Sequence, residues 1–467
     1  MKLRFFSMIL ACLLLTAGAT ACGKKKDEPS APTVEEDTQP SQKEPKPEDT
    51  TDYEAVLRFH LGDLEEASAA DFSYEVSNGG VKVSAYLGEA EKVRVPAFIE
   101  GLAVTAIGDG AFADQTNLKI LYLPDSVTDF GKEILKGCTQ LYALHTPFPL
   151  QEGTEFLGYL YGASDYTMNN TAALRALDYL EIGGTMTRLP SYALYDCNDL
   201  TVLKLPETVK SLGTYSLYRC ESLRYVNTEG LTDLEAHAME FCLSLEKLIF
   251  SAQLQSIGLG AFENCTSLRR LTVPFIGKTS TENTFLGYLF GAENYGVSQG
   301  FYPPSLEFVT VTEGITAVGD HAFYECDSLR EIVLPKTVKT VGVRAFSGCS
   351  GLTNLQLPDG LLEIGDAAFA DCSGLKTVSF GFLLESLGVN CFLNCSALEE
   401  ILLPNSLKFL PNSCFYGCDA LSNVALGGVE KVGKNAFYGC VGLQSVSASQ
   451  DKVVFEDGND FAKNLME

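Results

Sequence analysis

Cysteine is the residue type in this sequence with the greatest capacity for chemistry, because its thiolate binds metal ions and forms disulfides. The chain has 15 cysteines, of which Cys12 and Cys22 lie close to the amino terminus. Eleven more share one setting, three residues after a Phe, Leu or Met in a recurring motif: Cys138, Cys197, Cys220, Cys242, Cys265, Cys326, Cys349, Cys372, Cys395, Cys418 and Cys440. The last two, Cys391 and Cys414, each precede a member of this set by four residues.

Disulfides, a metal site and buried free thiols are all conceivable for these residues. Stacked copies of the motif would place successive cysteines about 5 Å apart, which is within reach of a disulfide. Equivalent positions in successive motifs instead favour inward packing as small apolar groups, so we predict buried free thiols. The Cys391/Cys395 and Cys414/Cys418 pairs lack further His or Cys ligands nearby in the motif, so we predict no metal site.

Acid–base chemistry has little support in the sequence. There are four histidines, and none of them lies in a pattern of the HExxH, GxSxG or Cys-His type. With 60 acidic and 34 basic residues the net charge is −26. Pairs of carboxylates are therefore too common to indicate a catalytic site, and binding to the phosphates of a nucleic acid is disfavoured. We predict no enzyme activity, no cofactor and no nucleic-acid partner.

A repeat organises most of the chain. Leucine-led segments such as Leu329 to Pro335 recur at spacings of 22 or 23 residues, interrupted by insertions of 13 and 15 residues. Apolar residues at Leu329, Ile332 and Leu334 alternate as in a strand, and a proline usually ends it. A turn then leads to an apolar residue followed by Gly, and to a segment x-x-Ala-Phe-x-x-Cys. Because Pro190 and Pro411 also occupy the Gly column, we interpret that column as the first position of a short helix.

Stacking such coils would bury the apolar columns against their copies above and below, which predicts a solenoid. The motif resembles the divergent, BspA-like form of the leucine-rich repeat, on segments 107–112, 118–124, 338–349 and 364–372. The resemblance implies an α/β solenoid of about 15 coils, with a parallel sheet on one side and short helical turns on the other. It also implies a bacterial surface protein associated with adhesion to host or neighbouring-cell components.

The first 22 residues predict export. Lys2 and Arg4 precede an apolar run and a stretch of small residues that ends at Cys22. This segment resembles a bacterial lipoprotein signal, which implies lipidation of Cys22, a lipid anchor as the only membrane contact, and a location on the extracellular face of the bacterial membrane; a plain signal peptide is the alternative.

We therefore divide the chain into five parts: a signal peptide (1–21), a disordered tether (22–52), an N-terminal helix and capping coil (53–106), the repeat array (107–443, with insertions near 148–170 and 275–300) and a C-terminal cap (444–467).

The two insertions resemble each other. Segments 156–166 and 285–295 are identical at eight of eleven positions. Their aromatic residues, Tyr159, Tyr161, Tyr288 and Phe290, could stack on sugars or on peptide side chains. The alternative is that these loops fold back and cover the stack locally.

The outer face of the predicted sheet offers a second candidate surface. Residues two places after each repeat leucine should point outward, and over residues 201–331 basic residues outnumber acidic ones at outward positions. We predict ligand contacts at Tyr179, Tyr225, Lys247, Arg269, Arg270 and Phe308, with an acidic partner; a solvated face with scattered charge is the alternative.

The sequence thus favours a cell-surface lipoprotein for adhesion or protein–protein recognition, with host or neighbouring-cell protein or glycan as partner. The alternative is a glycan-binding component of a nutrient-capture system.

Overall fold

A computed structural model of the chain describes residues 61, 64–77, 79–170, 176–282, 284–449 and 452–466. All of them belong to one compact unit, residues 52–467. The predicted signal peptide, the lipidation site Cys22 and the predicted tether lie outside the described residues, as does most of the predicted N-terminal helix. Within the described part of the chain, no helix has the length and apolar character needed to cross a membrane.

The repeat forms a solenoid whose coils pair through parallel strands, as predicted. Each coil begins with a strand of the main sheet, in which Val202, for example, lies in register with Tyr179 and Tyr225 of the neighbouring coils. The strands of the main sheet are Lys92–Arg94, Ile120–Tyr122, Ala143–Pro147, Tyr179–Gly183, Val202–Lys204, Tyr225–Val226, Lys247–Ile249, Arg270–Val273, Phe308–Val311, Glu331–Val333, Asn354–Gln356, Thr377–Ser379, Glu400–Leu402, Asn423–Ala425 and Ser445–Ser447.

A second set of parallel strands, each two residues long, follows the turn after the main sheet. These strands are Asp129–Phe130, Arg188–Leu189, Ser211–Leu212, Asp233–Leu234, Ser256–Ile257, Ala317–Val318, Thr340–Val341, Glu363–Ile364, Ser386–Leu387, Phe409–Leu410, Lys431–Val432 and Val454–Phe455. The repeat pattern did not predict this second ladder. Its strands carry the apolar residue that precedes the Gly column, and they place it in the core, as at Ile364.

The segment after the Gly column differs from the predicted short helix, because the structure has consecutive turns there. In each coil the residues two and six places after the column take left-handed backbone, for instance Asn390 (φ 59°) and Asn394 (φ 57°). The column itself does not have positive φ. A Cβ on Gly388 would lie 2.3 Å from the backbone nitrogen of Asp366, so the close approach of adjacent coils explains this glycine.

The two ends of the array have other elements. An antiparallel hairpin, Phe72–Ser77 with Gly80–Tyr86, begins the described fold, and Phe98–Ile99 pairs with Leu102–Ile107. A short α-helix, Asp460–Asn464, lies at the other end and buries Ala462. The 3-10 helices that lie wholly within the described residues include Ala69–Asp71, Leu157–Tyr161, Tyr166–Met168, Leu286–Phe290 and Tyr295–Gly300.

The core is a set of apolar columns shared between coils. Leu329, Ile332 and Leu334 all point inward and are at most 9% exposed. Beside the leucines, the rings of Phe323, Phe346, Phe369, Phe392, Phe415 and Phe437 form one continuous stack. Each coil therefore buries its apolar residues largely against its two neighbours.

All thirteen cysteines of the described residues are free and buried, which confirms the prediction for them. The thiol of Cys372 donates a hydrogen bond to the carbonyl oxygen of Phe346 in the preceding coil, with Sγ and O 3.1 Å apart. Cys349 makes the same bond to Phe323 at 3.1 Å. The column thus combines a small side chain with a donor for a buried carbonyl group.

We expect these thirteen thiols to resist alkylation while the protein is folded. Burial raises the pKa of Cys138 to about 11 and that of Cys372 to about 12, so little thiolate forms near neutral pH. Iodoacetamide treatment at pH 8 followed by peptide mass spectrometry should find them unmodified, and labelling in guanidinium chloride should modify every one. Rapid labelling of Cys372 in the folded protein would contradict this expectation.

Candidate functional site

The outer face of the main sheet is covered along its first coils. Leu61 is 5% exposed and packs with outward-pointing residues of four neighbouring strands: Ile120, Ala143, Tyr179 and Val202. Tyr179 is only 3% exposed, and its hydroxyl lies 2.7 Å from Glu181 Oε2. The prediction of Tyr179 as a ligand contact is therefore wrong, because the residue is buried in a cluster that includes Leu61 and Leu64. Tyr225 is half-buried and packs against the edge of the same cluster.

Beyond this cover the sheet presents a basic and aromatic surface. The guanidinium Cζ atoms of Arg270 and Arg269 lie 4.0 and 5.3 Å from the centroid of the Phe308 ring. Glu307 accepts contacts from two arginines, with Arg269 Nε at 2.7 Å and Arg330 Nε at 3.1 Å. We call Arg224, Lys247, Arg269, Arg270, Phe308 and Arg330 the arginine–Phe308 patch. The structure thus brings together four of the predicted contacts, Lys247, Arg269, Arg270 and Phe308, on adjacent strands.

The charge of this patch is opposite to that of the chain. The five repeats from Arg224 to Glu331 each have two outward positions directly after the repeat leucine. These ten positions carry five basic residues and three acidic ones, Glu246, Glu307 and Glu331. Arg269 and Arg330 share the single carboxylate of Glu307, whereas the guanidinium groups of Arg269 and Arg270 both lie within cation–π distance of the Phe308 ring. Such a surface is suited to carboxylate groups of a partner.

The first 3-10 helix of each insertion is part of the solenoid. The 3-10 helix Leu157–Tyr161 takes the place of a turn, because Leu135 N donates to the carbonyl oxygen of Leu160 at 2.7 Å. Leu286–Phe290 does the same for Phe262 N through Leu289, at 2.9 Å. A glycine with φ near 90–99° ends each helix. This geometry matches the alternative in which the loops cover the stack.

Two of the four aromatic residues predicted as ligand contacts in the insertions are core residues. Tyr161 is 5% exposed and Phe290 is fully buried, so neither ring can contact a ligand and these two predictions are wrong. Tyr159 and Tyr288 are half-buried and make edge contacts with Phe156 and Phe285, at 6.4 and 6.2 Å between ring centroids. Both side chains are therefore only partly accessible to a ligand.

On the turn side, the structure assembles a group of polar residues that sequence analysis missed. Their potential ligand atoms, on His237, Glu240 and Glu263, lie within 4.8 Å of one another. The signal available in the sequence was the 23-residue spacing of the two glutamates, which gives them the same position in adjacent coils. That signal was hidden by the many other acidic residues.

Comparison with known proteins agrees with this geometry. A family model described as the BspA type leucine rich repeat region matches in six copies, over residues 97–156, 170–288, 297–422 and 340–461. No curated protein sequence matches the chain.

Several solved structures are similar to the chain. A leucine-rich repeat protein from Bacteroides ovatus is 20% identical, with 77% of this chain and 99% of that chain covered and a TM-score of 0.35. A leucine rich cell surface protein from Faecalibacterium prausnitzii is 19% identical, with 83% and 96% covered and a TM-score of 0.29. The leucine-rich repeat protein TpLRR of T. pallidum is 17% identical, with 81% and 91% covered and a TM-score of 0.20.

Proposed function

Because the chain belongs to the BspA-type leucine-rich-repeat family, we propose that it is a recognition protein that binds an acidic segment of a partner protein through the arginine–Phe308 patch. Repeat proteins of this kind fit protein–protein recognition in general, since stacked coils create an extended surface. The observation that carries the proposal is the pair Arg269 and Arg270 beside the ring of Phe308 on the outer face of the main sheet.

The chemistry of the patch favours a protein partner with carboxylate groups. Guanidinium groups bind carboxylates through two parallel hydrogen bonds, and Arg and aromatic residues are enriched among residues that dominate binding energy. A net positive strip on a chain of charge −26 would also orient an acidic partner during approach.

The proposed setting is the bacterial cell surface. The signal that ends at Cys22 and the charged, proline-containing segment after it support display on a lipid anchor, in front of host or neighbouring-cell proteins. Adhesion is then the role of the patch. The glycan-capture alternative keeps only Tyr159 and Tyr288 of its four aromatic residues, because Tyr161 and Phe290 are buried.

Charge reversal at the patch tests this function. We expect Arg269→Glu with Arg270→Glu to weaken binding to acidic host-matrix and bacterial-surface proteins at least about tenfold, because both guanidinium contacts are lost. Binding by the wild-type chain should weaken as salt increases. Surface plasmon resonance on a panel of purified surface proteins measures both effects.

The matched control is Lys376→Glu with Lys434→Glu, which changes the net charge equally at two exposed residues outside the patch. This variant should bind like the wild type. Equal affinity of all three chains for every partner would refute the patch as the binding site. Glycan binding that is lost in Tyr159→Ala with Tyr288→Ala, and kept in the arginine variant, would establish the capture alternative instead.

A further inference from the structure

Three potential metal ligands converge on the turn side of the solenoid. His237 and Glu240 belong to one coil, and Glu263 has the position of Glu240 in the next coil. His237 Nδ1 lies 3.0 Å from Glu240 Oε2 and 3.6 Å from Glu263 Oε2. These contacts come from coils that the backbone ladder holds together, since Phe241 N donates to the carbonyl oxygen of Glu263 at 2.9 Å.

The group is electrostatically incomplete. Glu240 is 9% exposed, yet no Lys or Arg of the described residues pairs with Glu240 or Glu263. His237 Nδ1 is buried and lacks an aligned hydrogen bond despite its short distance to Glu240. An imidazole nitrogen and two carboxylate groups therefore face one another, and no Lys or Arg side chain of the described residues pairs with these carboxylates.

The imidazole ring is held in place from outside the group. The Tyr215 ring stacks on His237 with 5.0 Å between centroids and an interplanar angle of 9°. Tyr192 stacks on the other face of Tyr215, and Tyr166 on Tyr192, so both faces of Tyr192 and Tyr215 are used within the protein. The stacked tyrosines thus orient the His237 ring. Both faces of Tyr192 and Tyr215 are occupied within the protein, so a sugar cannot stack on these two rings.

Two glycines leave space beside the group. A Cβ on Gly260 would lie 2.9 Å from His237 Nδ1 and 2.8 Å from Glu263 Oε2, and a Cβ on Gly291 would lie 2.5 Å from Glu263 Oε2. Backbone conformation alone does not require glycine at residue 260, because His237 takes the same left-handed conformation one coil earlier (φ 57°). The missing side chain opens room beside the ligand atoms.

We propose that His237, Glu240 and Glu263 form a binding site for a divalent transition-metal cation, with Zn²⁺ as the ion that fits best. Bonds of 2.0–2.1 Å in a tetrahedral zinc site separate ligand atoms by about 3.3 Å, a value that the distances of 3.0 and 3.6 Å bracket. One imidazole and two carboxylates supply three ligands, and water completes the fourth position. Ca²⁺ fits poorly because it requires six to eight oxygen ligands.

Calorimetric titration of the folded full chain with ZnCl₂ tests the site, in reducing buffer after treatment with a chelator. We expect one saturable site for Zn²⁺ and none for CaCl₂. His237→Asn should weaken zinc binding at least about tenfold through loss of a ligand. Asparagine suits the left-handed backbone, as Asn390 and Asn435 show at the same repeat position. Glu263→Gln is a second ligand variant, and it should weaken binding similarly.

The matched control is His321→Asn. His321 has the same repeat position and left-handed backbone, and it stacks on Tyr295 at 3.9 Å. It does not belong to a group of three potential metal ligands among the described residues, so this variant should bind zinc like the wild type. Absence of saturable zinc binding, or equal affinity in the His237→Asn and wild-type chains, would overturn the proposal.

Discussion

Phe369→Ala should lower the free energy of unfolding by about 3–5 kcal/mol. The Phe369 ring is fully buried, and it stacks between Phe346 and Phe392 at centroid distances of 5.1 and 5.2 Å. Its removal leaves a cavity between two flat ring faces that the backbone ladders keep apart, so the core can collapse little. Urea denaturation followed by circular dichroism measures the change.

In a solenoid, Phe369→Ala should also change the width of the unfolding transition. Each coil contacts mainly its neighbours, so weakening one interface can separate the array into two cooperative blocks. We therefore expect a broader transition in addition to a lower midpoint. Phe382→Ala is the control, because Phe382 is 67% exposed and its loss should change stability by less than about 0.5 kcal/mol. Equal destabilisation by the two substitutions would show that the stack contributes no special packing.

The sequence predicted the stacked core because each core position recurs at the same place in successive repeats. Leu329, Ile332 and Leu334 could be assigned to the inside from their alternation alone, and every coil repeats that evidence. The turns were less readable. Pro190 and Pro411 in the Gly column favoured the first position of a helix, whereas the residues two and six places later, such as Asn390 and Asn394, take left-handed backbone.

The surface could be predicted only in part, because alternation gives the direction of a side chain and not what lies above it. Val202 points outward as expected, yet it is buried in a cluster with Leu61, which lies far away in sequence. Arg270 and Phe308 were assigned correctly to one face because a 38-residue spacing between their strands still preserved the register. The contact of His237 with Glu263 required the backbone of two coils, since a side-chain distance cannot be derived from spacing.

Phe290→Ala should also lower the free energy of unfolding by about 3–5 kcal/mol, although this residue lies in an insertion. Its ring is fully buried, with the rings of Phe262 and Tyr302 at 6.4 and 6.3 Å between centroids. The insertion replaces a turn of the coil, so a cavity at Phe290 lies in the common core and not beneath a detachable loop. Urea denaturation of the full chain provides the measurement, and Tyr288→Ala should cost clearly less because Tyr288 is half-buried.

In the first insertion, Tyr161 has the position that Phe290 has in the second. Here we expect a substitution to raise stability. Tyr161 is 5% exposed and its hydroxyl group is buried without a hydrogen-bond partner, which carries a desolvation cost of about 1–3 kcal/mol. Tyr161→Phe keeps the ring and removes that group, so it should raise the free energy of unfolding by about 1 kcal/mol. Loss of stability in Tyr161→Phe, or wild-type stability in Phe290→Ala, would contradict the conclusion that these rings are core residues. Since each substitution changes only a buried ring, both variants should bind partners through the arginine–Phe308 patch as the wild type does.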